Sequence, residues 1–230
     1  MISATSRKPR VTILFVVEVN GAGNPGLRER KKQRTRSTLI DAAVQLCEQQ
    51  GYDNTTVDQI AAVADVSPRT FSRYFATKDA VILALVDDMS DALAVQLERQ
   101  PADLCAMEAL LAAHSEMIRA TASAPPGGFT TARMFTIARI VNASPTLRLA
   151  SSEFRPHSVA HVLAERMGVG LDHPKVLLAV AIWSVILLTA FGDLGPDTDW
   201  RHIDTDMLVA RLNDTYKQFT DICAAPGSGI

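Results

Sequence analysis

Cysteine is scarce in this chain. Cys47, Cys105 and Cys223 are the only three, odd in number and far apart. They make neither a metal-ligand spacing nor a disulfide framework, which suits a reducing compartment and points to the cytoplasm. Glycine and proline are also few, twelve and eleven in 230 residues. They cluster between long apolar-periodic runs, which favours helices joined by short loops. The most apolar stretch, Val176 to Phe191, is too short and too singular for the roughly 20 residues of a membrane span. A Gly-rich phosphate loop, a Gly-x-Ser-x-Gly elbow and a paired Cys/His arrangement are all missing. Without them the chain reads as a non-enzyme that needs no cofactor, holds no resident metal and engages no membrane.

Charge is nearly balanced overall, at -2, but it is unevenly distributed. Residues 1–26 carry a net of +2 and residues 27–78 a net of +3, leaving -7 for residues 79–230. A basic N-terminal third can meet phosphates while an acidic body stays clear of them. Within the first 26 residues, Arg7, Lys8 and Arg10 precede an apolar run that Glu18 interrupts. That run is short for a secretion signal. Its β-branched content and the following Asn20-Gly21-Ala22-Gly23-Asn24-Pro25-Gly26 read as an extended arm and a flexible linker, or equally as residues ahead of a later translation start, without an assigned function.

From residue 27 the pattern turns helical. Six bases and one acid between Arg28 and Arg36 lead into an apolar face made by Leu39, Ile40, Ala43, Val44, Leu46 and Cys47. Gly51 is placed to end that helix in the left-handed conformation. Thr56 is a good N-cap for a short helix burying Val57, Ile60, Ala61 and Ala64, which stops near Asp65-Val66. Ser67 then caps a further helix with Pro68 at its first position. Two short helices, a tight turn and alanines at the contact make a helix-turn-helix. Phe71 and Phe75 face inward on the second helix, leaving Arg69, Thr70, Ser72, Arg73 and Tyr74 outward. Those types can donate to base edges and phosphates. Thr77 and Lys78 open a long helix whose N-terminus, with the lysine, suits a phosphate. A structural hairpin with a polar surface is the plainer alternative. The basic leader and the capped Ser-Pro start favour double-stranded DNA, with Arg34 of the leader and Ser67 at the cap among the contacting residues.

The Arg-rich leader, Gly51-Tyr52, Thr55-Thr56-Val57, Ile60-Ala61, Val66-Ser67, the block from Arg69 to Phe75, and Lys78 followed by Leu83 together closely resemble the DNA-binding domain of the TetR family of bacterial repressors. The resemblance spans residues 28–85. It implies a homodimer reading a palindromic operator, with Thr56, Arg69, Thr70, Ser72, Arg73, Tyr74 and Lys78 touching DNA. Arg73 stands where many members carry His.

The rest of the chain reads as helices throughout, which makes the expected fold all-α: a three-helix DNA-binding domain over 27–76, a ligand-binding and dimerisation domain over 77–223, and a tail from 224 to 230. Pro156 must kink or split the run from Thr146 to Met167. A helix as apolar as Val176 to Phe191 must be buried on all sides. One side can pack on its own domain and the other on a second copy, and a final helix with Met207, Leu208, Leu212, Tyr216 and Phe219 on one stripe can complete that interface. By the resemblance, the last two long helices form the dimer's four-helix bundle, and a sensing pocket lies between the middle helices. Candidate pocket residues are Met107, Leu111, Met134, Phe135, Arg139, Phe154, Arg155 and Trp183. Methionine and phenylalanine there suggest an apolar effector, and Arg133, Arg139, Arg148 and Arg155 could hold an anionic head group. Residues 139–149 and 164–168 are similar to a TetR subgroup with an acyl-CoA-like ligand domain, which implies a fatty-acyl or similarly amphipathic effector. Glu153, His157, His161 and Glu165 recur every four residues, so a metal-responsive regulator is an alternative reading, disfavoured by Pro156. A helical adaptor that binds only protein is another.

Overall fold

The computed structural model describes residues 26–125, 128–154 and 156–224. The expected arm (all but Gly26), the tail beyond Ala224 and the candidate pocket residue Arg155 lie outside these residues.

The basic leader is part of the first helix, α1 (Leu27–Gln50), whose apolar face buries Leu39, Ile40, Ala43, Leu46 and Cys47. Gly51 ends it with φ 81° and ψ 157°. The sign of φ is as expected, but ψ lies outside the left-handed helical region, in a conformation essentially reserved for glycine. α2 (Val57–Val63) opens with a capping box: the Thr56 hydroxyl accepts from the Gln59 N–H, and the Gln59 carboxamide oxygen accepts from the Thr56 N–H. The turn into α3 (Pro68–Tyr74) passes through Asp65 at φ 53°. Aspartate tolerates that left-handed geometry better than most residues because its short side chain can hydrogen-bond locally.

Five further segments complete the middle of the chain: α4 (Lys78–Glu98), α5 (Ala106–Ala120), α6 (Thr131–Ala143), α7 (Pro145–Glu153) and α8 (His157–Met167). Pro156 splits the run after Thr146 into two separate helices, because it caps α8 from outside. Gly168 closes α8 in the left-handed conformation, φ 64° and ψ 35°. α9 (Pro174–Phe191) and α10 (Thr205–Cys223) pack against each other, and α10 also packs on α5. All the regular structure among the described residues is helical.

Two apolar clusters share α4. Its first turns put Val81, Ile82, Ala84 and Leu85 into a cluster with Leu39, Ile60 and Phe71 of the helix-turn-helix. Its later turns put Leu93, Ala94 and Leu97 into a cluster with α5, α8, α9 and α10. Burying one such Leu, Ile or Phe stabilises the fold by about 1.5–3 kcal/mol. The N-terminal cluster does not end at α4: Ile137 and Ile140 of α6 and Leu147 of α7 belong to it. The body is therefore packed directly onto the helix-turn-helix, in addition to being joined to it through α4.

α9 is apolar all round, but it is not buried all round. Val176, Ala179, Val180, Trp183, Ile186 and Ala190 face the core, while Leu177, Leu178, Val185 and Leu188 are exposed. By length and composition alone α9 could cross a membrane. Here its core face is packed in a helical body, and the uncovered face is a stripe along one side.

Candidate DNA-binding surface and ligand cavity

Phe71 and Phe75, one turn apart on and after α3, are buried with ring centroids 5.8 Å apart. Anchoring that side turns Arg69, Ser72 and Arg73 outward, all exposed, with Thr70 and Tyr74 half-buried beside them. Arg34 is exposed on α1. Hydrogen bonding by Thr35, then by Arg73, holds the Tyr74 phenol below its ordinary pKa. The guanidinium of Arg73 lies 5.3 Å from the Tyr74 ring.

Three residues of the expected DNA set also have structural duties. The hydroxyls of Thr56 and Ser67 cap α2 and α3, and Ser67 accepts from the Thr70 N–H at 3.1 Å. Lys78 is the more constrained. Its Nζ donates to the Tyr52 carbonyl oxygen at 2.9 Å and sits 4.0 Å from the centre of the Tyr52 ring. The Tyr52 hydroxyl in turn donates to Asp79. Lys78 thus ties the start of α4 to the segment after α1, and a phosphate would share its ammonium with these partners.

The body holds a mostly apolar, partly open cavity of about 210 Å³. Met134 and Phe135 of α6, Phe154 after α7, and Trp183 of α9 line it. Met107 and Leu111 of α5 lie outside it, and Leu111 sits instead at a shallow depression with Leu104 and Glu108. Arg139 also lies outside, because its guanidinium is paired with Glu48 of α1. Arg133 is likewise paired with Asp88 of α4. Of the basic residues considered for an anionic head group, Arg148 is the one the described residues place at the cavity, where it leans on the Gly192 carbonyl oxygen at 3.5 Å.

Composition alone did not single out His114, Ser90 or Asn142, which also line the cavity. Asn142 donates to the carbonyl oxygens of Phe191 and Leu194, both at 2.9 Å, and so closes the end of α9 onto α6. His114 is fully buried on α5, its ring 5.9 Å from that of Trp183. Burial pushes its imidazole pKa down to about 4, so the ring is neutral at ordinary pH. The signal for it was helical spacing: residue 114 shares the buried face of Leu110, Ala113, Met117 and Ile118.

The four-residue Glu/His series does not share one helix. Glu153 ends α7, and the other three lie on α8. His161 and Glu165 pair at 3.3 Å, both exposed. No three His, Cys, Asp or Glu side chains among the described residues are grouped to hold a metal.

The α6 helix lies between cavity and helix-turn-helix. Met134, Phe135 and Ala138 border the cavity, while Ile137 and Ile140 enter the N-terminal cluster. Polar contacts reinforce the seam. The Thr136 hydroxyl and Arg139 both donate to Glu48, and the Ser144 hydroxyl donates to Asp53 at 3.2 Å.

Known proteins resemble this chain in sequence and in fold. Residues 39–85 match the family model for bacterial regulatory proteins of the tetR family. The HTH-type transcriptional regulator TcmR of Streptomyces glaucescens is 36% identical over 162 residues, covering 68% of this chain and 72% of that protein. An HTH-type transcriptional regulator of Haemophilus influenzae is 36% identical over 64 residues, 27% of this chain and 31% of that one. Among solved structures, the FadR repressor of Thermus thermophilus, crystallised with lauroyl-CoA, superposes with a TM-score of 0.49 at 21% identity over 85% of this chain and 98% of its own. The extent of the match to TcmR carries the assignment: this chain belongs to the TetR family, whose members are helix-turn-helix transcriptional regulators and not enzymes.

Proposed function

We propose that the chain is a repressor that binds a palindromic operator as a homodimer and releases it when a small apolar or amphipathic molecule enters the body cavity. The observation that carries this reading is the double duty of α6. One face of it borders the cavity and another packs into the helix-turn-helix core. A molecule that displaces Met134 or Phe135 therefore moves a helix to which the DNA-binding module is attached. Release requires the effector to bind the DNA-incompetent arrangement more tightly than the competent one, because only that difference shifts the equilibrium.

The division of labour follows the expected boundaries: DNA binding over 27–76, effector binding and dimerisation over 77–223. Arg34, Arg69, Thr70, Ser72, Arg73 and Tyr74 contact DNA directly, while Thr56, Ser67 and Lys78 chiefly hold the module in shape. The exposed stripe of Leu177, Leu178, Val185 and Leu188 on α9 is covered by α9 and α10 of a second copy, since a C2 dimer matches a palindrome. The effector is mainly apolar, and fatty-acyl thioesters are the first class to try. A regulator of this kind works in the cytoplasm, where its DNA is.

Selection of bound sequences from a random duplex library, at two salt concentrations, tests the DNA reading. A palindrome enriched with a steep salt dependence is expected, because each phosphate neutralised releases counterions. Arg73→Ala and Tyr74→Ala should weaken binding to the selected duplex while light scattering still shows a dimer. Loss of the dimer in either variant would overturn the separation of roles.

A further inference from the structure

Four buried polar side-chain atoms among the described residues have no hydrogen-bond partner, and two of them, His114 Nδ1 and Trp183 Nε1, belong to adjacent side chains that line the cavity. Folded proteins rarely leave such groups unmatched, because a buried donor or acceptor without a partner keeps its full desolvation penalty. Trp183 lies on α9 and His114 on α5, so the pair is brought together by packing rather than by sequence. Leu93, Leu110, Ile118, Met134 and Val180 line the same cavity, and its Ser90 and Ser184 hydroxyls donate to the Val86 and Val180 carbonyl oxygens.

We propose, building on the cavity as the effector site, that His114 and Trp183 together recognise one uncharged oxygen of the effector, a hydroxyl or a carbonyl, held deep in the cavity. The indole N–H can only donate, and the neutral imidazole can accept at one ring nitrogen and donate at the other. A ligand hydroxyl satisfies both at once, accepting from Trp183 Nε1 and donating to His114 Nδ1. A carbonyl oxygen accepts from Trp183, and from His114 in its other tautomer. A carboxylate is a poor fit there, since its charge would be buried among mostly apolar side chains. Arg148, the one arginine the described residues place at the cavity, is only half-buried and leans on a backbone carbonyl. A volume of about 210 Å³ falls below the ~300–1,000 Å³ usual for drug-sized ligands, so the recognised portion is compact. The effector is thus a small apolar body, or the inner part of a larger one, bearing a neutral oxygen in its interior.

The test is equilibrium dialysis of the full chain against naphthalene, 2-naphthol and 2-naphthoate, which share one apolar frame and differ in the oxygen function. The expected order is 2-naphthol first, by about tenfold over naphthalene, with 2-naphthoate weakest. In Trp183→Phe and His114→Phe the 2-naphthol advantage should shrink to about twofold or less, while naphthalene still binds. His114→Gln, which keeps a hydrogen-bonding group, should restore part of it. Retained naphthalene binding also shows that each variant is folded. Equal binding of naphthalene and 2-naphthol to the unaltered protein would overturn the inference and leave the cavity as an effector site, its two nitrogens served by water. Tightest binding of 2-naphthoate would overturn it in favour of an anionic effector. No binding of any of the three would remove both the inference and the cavity reading.

Discussion

His114 makes the stability of this protein depend on pH in a window that can be stated in advance. Its pKa is pushed down to about 4 from the ordinary 6.5, and burial is the only cause, with no charged neighbour contributing. The sign follows from proton counting. Between pH 6.5 and 4 the unfolded chain holds a proton on this ring and the folded chain does not, so acidification favours unfolding. Stability is full above about pH 7 and is lost as pH falls towards the folded value. Each pH unit across that window is worth about 1.4 kcal/mol, so the whole effect is about 3 kcal/mol, most of it lost by pH 4.5. That is a large share of the 5–15 kcal/mol typical of a folded domain. The assay is urea unfolding followed by circular dichroism at half-unit steps from pH 7.5 to 4.5, on the wild type and on His114→Gln. The variant can start from a lower neutral-pH stability; the readout is the slope. The wild type should lose about 2–3 kcal/mol more than the variant across this range. Parallel curves would refute the reasoning, because every carboxylate contributes equally to both and only the buried imidazole differs.

Other perturbations probe the parts that hold the two clusters in register. Thr56→Ala removes a capping box and should cost about 1 kcal/mol, a fall of roughly 2–4 °C in Tm, measurable by calorimetry. Asp65→Val places a β-branched residue at φ 53° and should cost about 1–2 kcal/mol, whereas Asp65→Gly should be close to neutral; equal losses would mean that the turn relaxes. Arg139→Ala breaks the bond to Glu48, a partly exposed pair, so stability should change by less than about 1 kcal/mol. Its larger effect should be on the ratio of operator affinity with and without effector. A Glu48→Ala, Arg139→Ala cycle in which that ratio is additive would show that the seam does not transmit the signal.

Much of the DNA-binding module was legible from local chemistry. Caps at Thr56 and Ser67, Pro68 at a first helical position, and Phe71 and Phe75 one turn apart are short-range signals, and each forces the neighbouring backbone into a single arrangement. They turn Arg69 and Arg73 outward whatever the body does. The break at Pro156 was legible for the same reason, since a missing N–H cannot be supplied from elsewhere. The cavity was not legible in this way. Met134, Phe135, Phe154 and Trp183 line it, yet Met107 and Leu111 share their apolar character and sit elsewhere. Arg139 was drawn away by Glu48, a residue on the far side of the sequence. Periodicity shows which face of a helix is apolar, but it does not show which other helix that face meets.

What the sequence by itself determined is therefore the helical character of the chain, the helix-turn-helix and the family, because these rest on spacing within a few residues. Tertiary structure alone decided that α6 joins the cavity to the DNA-binding core, that Lys78 is held by Tyr52, and that His114 and Trp183 meet with unpartnered nitrogens. Those facts depend on which distant helices pack together, and that choice is made by the summed fit of many side chains rather than by any local run.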